Sequence, residues 1–147
     1  MTPDALAALP ARASGEERPW SAEAFAGLLA QRGHYVIGDE RAFALFRVIV
    51  DESELLMLAT DPAHRRQGLA RVLLARWIDA ARDKGAARAF LDVSVANDPA
   101  RALYSSFGFV EVGRRIGYFQ RPNAPAQDGL VLSYELTQRE GIKTNPI

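Results

Sequence analysis

Thr60-Asp61-Pro62-Ala63-His64-Arg65-Arg66-Gln67-Gly68-Leu69-Ala70 follows an apolar run at 54–60 and opens the clearest amphipathic stretch of the chain, 68–84. A strand that turns directly into a helix leaves the first backbone N–H groups of that helix unpaired and facing outward, with the positive end of the helix dipole behind them. That arrangement suits a pyrophosphate. Gly68 removes a side chain that would block close approach, and Ala70 is small for the same reason. No Gly-Lys-Ser/Thr follows, as a Walker loop requires, and the Gly-x-Gly-x-x-Gly spacing of a dinucleotide site is absent. Taken alone, the string also fits a plain helix start with a solvated arginine pair. Its setting, after a strand and before a helix and a second strand, selects the phosphate reading.

Working outward, Leu69, Leu73 and Trp77 share one helical face with Leu74, Ile78 and Ala81 beside them, while Arg71, Arg76, Asp79 and Arg82 fall outside that stripe. Gly85 is the stop signal. Upstream, apolar runs at 34–37, 42–50 and 54–60, split by Gly38-Asp39-Glu40 and Asp51-Glu52, read as an antiparallel meander. Before them, Ser21 reads as an N-cap with Glu23 in the first turn; Phe25, Leu28 and Leu29 form the apolar face and Gly33 the end. A short helix is expected at 4–9, bracketed by Pro3 and Pro10, with a turn-like stretch from Ala11 to Pro19. Downstream come a strand at 88–95 and a helix of one and a half to two turns, with Asp98 as N-cap, Pro99 in first position and Gly108 as stop. Strands at 109–119 and 128–136, joined by a Pro-rich loop at 120–127, complete the pattern; 137–147 reads as a flexible tail. The fold class is α/β with a mixed sheet, mostly antiparallel, containing one parallel right-handed β-α-β crossover over 54–95.

The chain has 147 residues, which fits a single domain able to bury about two-thirds of its unfolded surface. It has no cysteine, which excludes disulfides, a thiolate zinc site and a cysteine nucleophile. Only His34 and His64 are present, so no metal centre is expected. Eighteen basic and eighteen acidic residues give a formal charge of zero. Nothing in that balance favours nucleic acid as a partner, although Arg114 and Arg115 could form a local basic patch. The N-terminus does not read as a signal peptide, no apolar run is long enough to span a membrane, and a cytoplasmic location is expected.

Two residues stand out chemically. Asp92 lies mid-strand in Ala89-Phe90-Leu91-Asp92-Val93-Ser94-Val95, sharing a face with Phe90 and Ser94. An acid inside a central strand needs a partner or a task; a structural salt bridge or a water-bound edge acid is the plainer explanation. Tyr104 lies on the short helix in Leu103-Tyr104-Ser105-Ser106-Phe107-Gly108-Phe109, where simple packing is an equally plain explanation.

Arg65-Arg66-Gln67-Gly68-Leu69-Ala70 resembles the GNAT signature Gln/Arg-x-x-Gly-x-Gly/Ala, and Leu103-Tyr104 through Gly108-Phe109 resembles the family's Leu-Tyr-x-x-x-Gly-Phe motif. The resemblance implies a GNAT acyl-CoA N-acyltransferase fold and an acetyl-CoA-dependent N-acetyltransferase. By position, it implies that the coenzyme lies along Leu58, Ala59 and Thr60, crosses Arg66, Gln67, Gly68, Leu69, Ala70 and Arg71, and touches Asn97. It also implies that one N–H of 58–60 serves the developing oxyanion, that Asp92 is the proton acceptor, and that Tyr104 is the acid beside the sulfur.

Pro19-Trp20-Ser21 with Phe25, Leu91-Asp92-Val93, and Arg114-Arg115-Ile116-Gly117-Tyr118-Phe119 are similar to segments of the RimI-type N-terminal alanine acetyltransferases of ribosomal small-subunit protein eighteen. That likeness implies a protein N-terminus as acceptor, such as that of a ribosomal protein. The tyrosine-rich strand pair after Gly108, with Tyr118 and Tyr134, is expected to wall the site for this acceptor or for another amine. Three departures accompany it. Aspartate stands at 92 where the subgroup has glutamate, Ala70 replaces the commoner glycine, and the family's first strand is missing, which exposes an edge for the N-terminal segment or a partner to cover. Other readings are acetylation of a small amine or a lysine side chain, an acyl-CoA sensor without catalysis, and an enzyme acting on aminoacyl-tRNA; the absence of a basic surplus argues against the last. Either a monomer or a homodimer is compatible with the sequence.

Overall fold

The computed structural model describes the backbone of residues 1–13 and 21–136, with side chains for 1–8 and 21–136. In chain order the elements are α1 (Pro3–Ala13), α2 (Ala22–Ala30), β1 (His34–Asp39), β2 (Ala42–Ile49), β3 (Glu52–Thr60), a 3₁₀ turn (Pro62–His64), α3 (Leu69–Asp83), β4 (Arg88–Ser94), α4 (Asp98–Phe107), β5 (Val110–Phe119) and β6 (Gln127–Glu135). Six strands form one sheet in the order β1-β2-β3-β4-β6-β5. Among the described residues only β3 and β4 run parallel, joined through α3; every other neighbour pair is antiparallel. This is the mixed sheet with one parallel crossover that the sequence predicts.

Strand alternation sends side chains to two cores. On one face, α3 lays Leu73, Leu74, Trp77, Ile78 and Ala81 on Ala44, Phe46, Leu55, Ala89 and Leu91. On the other, α1 and α2 contribute Leu6 and Phe25 to a smaller cluster with Phe43, Leu45 and Ala59. The Trp77 Nε1–H donates to Ser53 Oγ at 3.0 Å, and the Ser53 hydroxyl donates to the Arg47 carbonyl at 2.8 Å. Both buried polar groups are thereby satisfied, and α3 is fixed against β3 and β2.

Several boundaries differ from those the sequence predicts. Helix α1 continues through Pro10 to Ala13. A proline costs one helical bond, and here burial of Leu6 helps hold the helix on its neighbours. Helix α2 is capped by Ser21, whose side chain accepts from the Ala24 N–H, but it ends at Gln31; Gly33 instead serves the turn into β1, where a side chain would meet the Val48 carbonyl at 2.6 Å. Helix α4 has ten residues, with Asn97 rather than Asp98 as its N-cap. The side chain of Arg82 is 8% exposed and not on the wet face: it donates to the Leu136 carbonyl and pairs with Asp79. Among the described residues no strand precedes α1, and β1 forms a sheet edge; α1 packs over the sheet on β3 and α2 rather than along that edge. No helix of the described residues is long and apolar enough to cross a membrane. Pro19, Trp20 and the 137–147 segment lie outside the described residues.

Candidate active site

The parallel pairing of β3 with β4 stops early. Glu52–Leu55 pair with Arg88–Leu91, but β3 runs on to Thr60 and β4 to Ser94 without meeting again. The split coincides with a bulge. Phe46 lies opposite Leu55 and Leu45 opposite Met57, so Leu56 is the extra residue. A bulge shifts the alternation by one. Leu55 faces α3, yet Met57 and Ala59 face α1 and α2, while Leu58 turns back to the α3 core. On the β4 side, every second peptide of Leu56–Thr60 directs its N–H and C=O away from β2 into the split, where no strand receives them.

A cavity of about 600 Å³ passes through this split. Leu55, Leu58, Val93 and Tyr104 line it from the α3 face, and Glu54, Leu56, Asp92, Ser94 and Tyr118 from the other. The sheet thus brings Asp92 and Tyr104 into one opening from opposite faces. Asn97 lines it as well, its Oδ1 accepting the Ala100 N–H at 3.3 Å, which leaves its amide N–H groups for the cavity. Of the strand residues expected along the coenzyme, Leu58 lines the cavity; Ala59 is buried toward α1 and α2, and Thr60 pairs with Ala42.

Tyr104 is 7% exposed, and its ring packs edge-on to Phe109 at 6.0 Å. Burial pushes its phenol up to about 12, so it is a protonated donor throughout the neutral range. The side chain of Asp92 is 12% exposed and accepts from Arg115 Nε at 3.0 Å through Oδ1. Asp92 therefore has both a salt bridge and a place in the cavity. Asp128 accepts from the Gly117 N–H at 2.8 Å and from Arg114 Nε at 2.9 Å, bonds that hold its carboxyl below the usual range and fix the end of β5 that carries Tyr118. Arg114 and Arg115, which could have formed a local basic patch, are adjacent strand residues on opposite faces, each paired to its own carboxylate. Tyr134 is a correction. It stacks on Phe109 at 5.2 Å in the α3-side core and does not line this cavity.

The loop between β3 and α3 has the backbone of an anion cradle. Arg66 and Gly68 both have positive φ, 65° and 76°, and 65–68 are exposed. Alternating left-handed residues turn successive N–H groups toward one concavity. Nothing lies within 4 Å of where a Cβ on Gly68 would sit, so the space in front of the helix is open. Arg71, on the first turn of α3, donates to Ser106 Oγ at 3.0 Å and stacks over the Phe107 ring at 5.2 Å, tying this helix start to the helix that carries Tyr104. This loop follows directly in the chain from the unpaired backbone of β3 past Leu56, an order that fits a long phosphorylated thioester such as acetyl-CoA.

Residues 5–109 match the family model described as Acetyltransferase (GNAT) family. The chain belongs to the GNAT acetyltransferase family. It is an acetyl-CoA-dependent N-acetyltransferase. Among its relatives, the [ribosomal protein bS18]-alanine N-acetyltransferase of Escherichia coli K12 is 38% identical over 129 residues, covering 82% of this chain and 84% of that protein. The putative [ribosomal protein bS18]-alanine N-acetyltransferase of Bacillus subtilis is 28% identical, covering 73% and 75%. Among solved structures, the ribosomal-protein-S18-alanine N-acetyltransferase from E. coli superposes with a TM-score of 0.81 at 31% identity, covering 91% of this chain and 87% of that one.

Sequence reasoning missed Glu54 and Arg47. Glu54 lies opposite Arg47 on β2 and level with Phe90 on β4, and it lines both the through-sheet cavity and a second cavity of about 350 Å³ on the same face. Its one signal was an acid at the head of an apolar strand, a clue that means little until the partner strand is known.

Proposed function

We propose that this N-acetyltransferase acetylates the N-terminal α-amine of a protein, a ribosomal protein being the leading acceptor, with residues 1–147 forming one catalytic domain. The observation that carries the reading is the meeting of Asp92 and Tyr104 in one opening through the sheet. The relatives that act on the alanine of ribosomal protein bS18 support the choice of acceptor. Such an acceptor places the reaction in the cytoplasm.

In this reading the backbone of 66–71 holds the pyrophosphate, and the unpaired strand at 58–60 lines up the pantetheine arm, with Asn97 alongside. Acetyl-CoA supplies the activated acetyl group. The amine arrives as an ammonium, and Asp92 takes one proton from it, directly or through a water. The amine nitrogen then bonds to the acetyl carbon, the carbon–sulfur bond breaks, and a strand N–H supports the developing oxyanion. The second amine proton leaves to solvent. Tyr104, protonated at neutral pH, acts as the acid: the departing thiolate takes its proton and solvent reprotonates the phenol. Proximity in the opening does much of the work, since no covalent enzyme intermediate is needed.

The test is an acetyl-transfer assay with a peptide copying the N-terminus of bS18, the same peptide with a blocked α-amine, lysine peptides and a polyamine. Transfer is expected only to the free α-amine. Transfer confined to lysine or polyamine would discard the acceptor while leaving the fold and coenzyme site standing.

A further inference from the structure

The second cavity continues the through-sheet opening toward the β2–β3 turn, and Glu54, Leu91 and Asp92 form the wall the two share. It runs past Arg47, Ile49, Phe90, Arg115 and Val131, away from the phosphate loop at the opposite end of β3. Five charged side chains line it on four strands: Arg47 on β2, Glu52 and Glu54 on β3, Asp92 on β4 and Arg115 on β5, with Glu52 two residues nearer the β2–β3 turn. Arg47 Nη2 meets Glu54 Oε1 at 2.6 Å, and Arg115 Nε meets Asp92 Oδ1 at 3.0 Å. Each guanidinium thus sits on an outer strand and pairs with a carboxylate on the inner two, β3 and β4.

Glu54 and Asp92 lie on the same face and one diagonal step apart, because Glu54 is level with Phe90. Both side chains line the wall that the two cavities share, so an ammonium held there meets two carboxylates. Stability does not explain Glu54. A cross-strand pair whose side chains are 41% and 28% exposed contributes little to folding.

We infer that Glu54, oriented by Arg47, is an acceptor-binding residue: it holds the incoming ammonium against Asp92, so that two carboxylates capture the amine and one of them takes its proton. The inference rests on the amine-acceptor reading above and deepens it. A protonated primary amine is the ligand class; an acceptor neutral at working pH gains nothing from Glu54. The second carboxylate also bears on the aspartate at 92. A short acid reaches less far into the cavity, and a partner across the split keeps the amine within its range.

The experiment is steady-state kinetics of the full chain, as wild type, Glu54→Gln and Glu54→Asp, varying acceptor and acetyl-CoA separately at pH 7 and pH 9.5. The acceptor is whichever amine the wild type acetylates. For an α-amine acceptor, Glu54→Gln is expected to raise the acceptor KM roughly tenfold to a hundredfold at pH 7, the range for losing one charged hydrogen bond, with kcat and the acetyl-CoA KM nearly unchanged. Glu54→Asp recovers part of the loss. An α-amine titrates near about 8, so the gap closes at pH 9.5, where the acceptor is neutral. An acceptor KM that Glu54→Gln leaves unchanged, a gap that persists at pH 9.5, or an equal rise in both KM values overturns the inference. If the wild type acetylates only lysine or polyamine, the N-terminal reading fails, while the pH 7 comparison on that amine still decides the role of Glu54. If no amine is acetylated, both fall together.

Discussion

The two ends of the opening are built in different ways. The proposed phosphate end is made of one contiguous stretch, 65–71, and would work through its backbone: two left-handed residues, a helix start and an empty space before Gly68. The proposed acceptor end takes Arg47, Glu54, Asp92 and Arg115 from four strands, and would work through side chains. A site made of local backbone tolerates almost any side chain except at the glycine. A site made across a sheet depends on register, so each of its residues matters singly.

That contrast orders the expected effects. The largest falls on Gly68→Glu. The substitution forces a side chain onto a backbone with φ of 76° and sets a negative charge against the phosphates. Acetyl-CoA binding measured by calorimetry should fall beyond detection while the fold persists by circular dichroism. Normal affinity would remove the loop from the coenzyme site. Next comes Asp92→Asn, expected to lower kcat by roughly 10²–10⁴, the usual range for losing a general base, with acetyl-CoA affinity retained. Full turnover would return Asp92 to a purely structural salt bridge with Arg115.

How much of this was legible follows the same division. The loop could be read because Gly68, the arginines before it and the helix behind it are neighbours in the chain. Asp92 and Tyr104 could be singled out as an acid in a strand and a tyrosine on a helix, but their meeting requires the split between β3 and β4. That split coincides with the bulge at Leu56, and nothing in the run Glu54-Leu55-Leu56-Met57-Leu58 announces an extra residue. Whether Arg114 and Arg115 make one patch was not legible for a related reason: neighbours in sequence take opposite faces in a strand. Tyr134 was misplaced because its strand could be recognised but its face could not, and Phe109 claims the ring.

Smaller effects sharpen the comparison. Tyr104→Phe keeps the ring contact with Phe109 and loses only the hydroxyl, so kcat should fall by about tenfold to a hundredfold with little change in Tm. Because burial raises the Tyr104 phenol to about 12, wild-type turnover should show no loss from its ionisation between pH 8 and pH 10. The same raised value makes folding stability fall as pH rises from about 10 toward 12, since the unfolded chain releases that proton first; Tyr104→Phe should flatten that slope in alkaline melts. An alkaline slope identical in both proteins would contradict the burial argument. The least effect is expected of Arg71→Ala. It removes an exposed hydrogen bond to Ser106 and the contact with Phe107, at a cost of about 1 kcal/mol and a few-fold rise in the acetyl-CoA KM. A rise confined to the acceptor KM would sever the proposed link between the two ends.

A crystal structure of the chain with coenzyme A tests the proposed site most directly. The pyrophosphate is expected on the N–H groups of 66–71, the pantetheine arm bonded to the backbone of β3 past Leu56, and the sulfur within hydrogen-bond reach of the Tyr104 hydroxyl in the opening that Asp92 lines. A coenzyme bound along another face, or a sulfur that stops outside the split between β3 and β4, would contradict it.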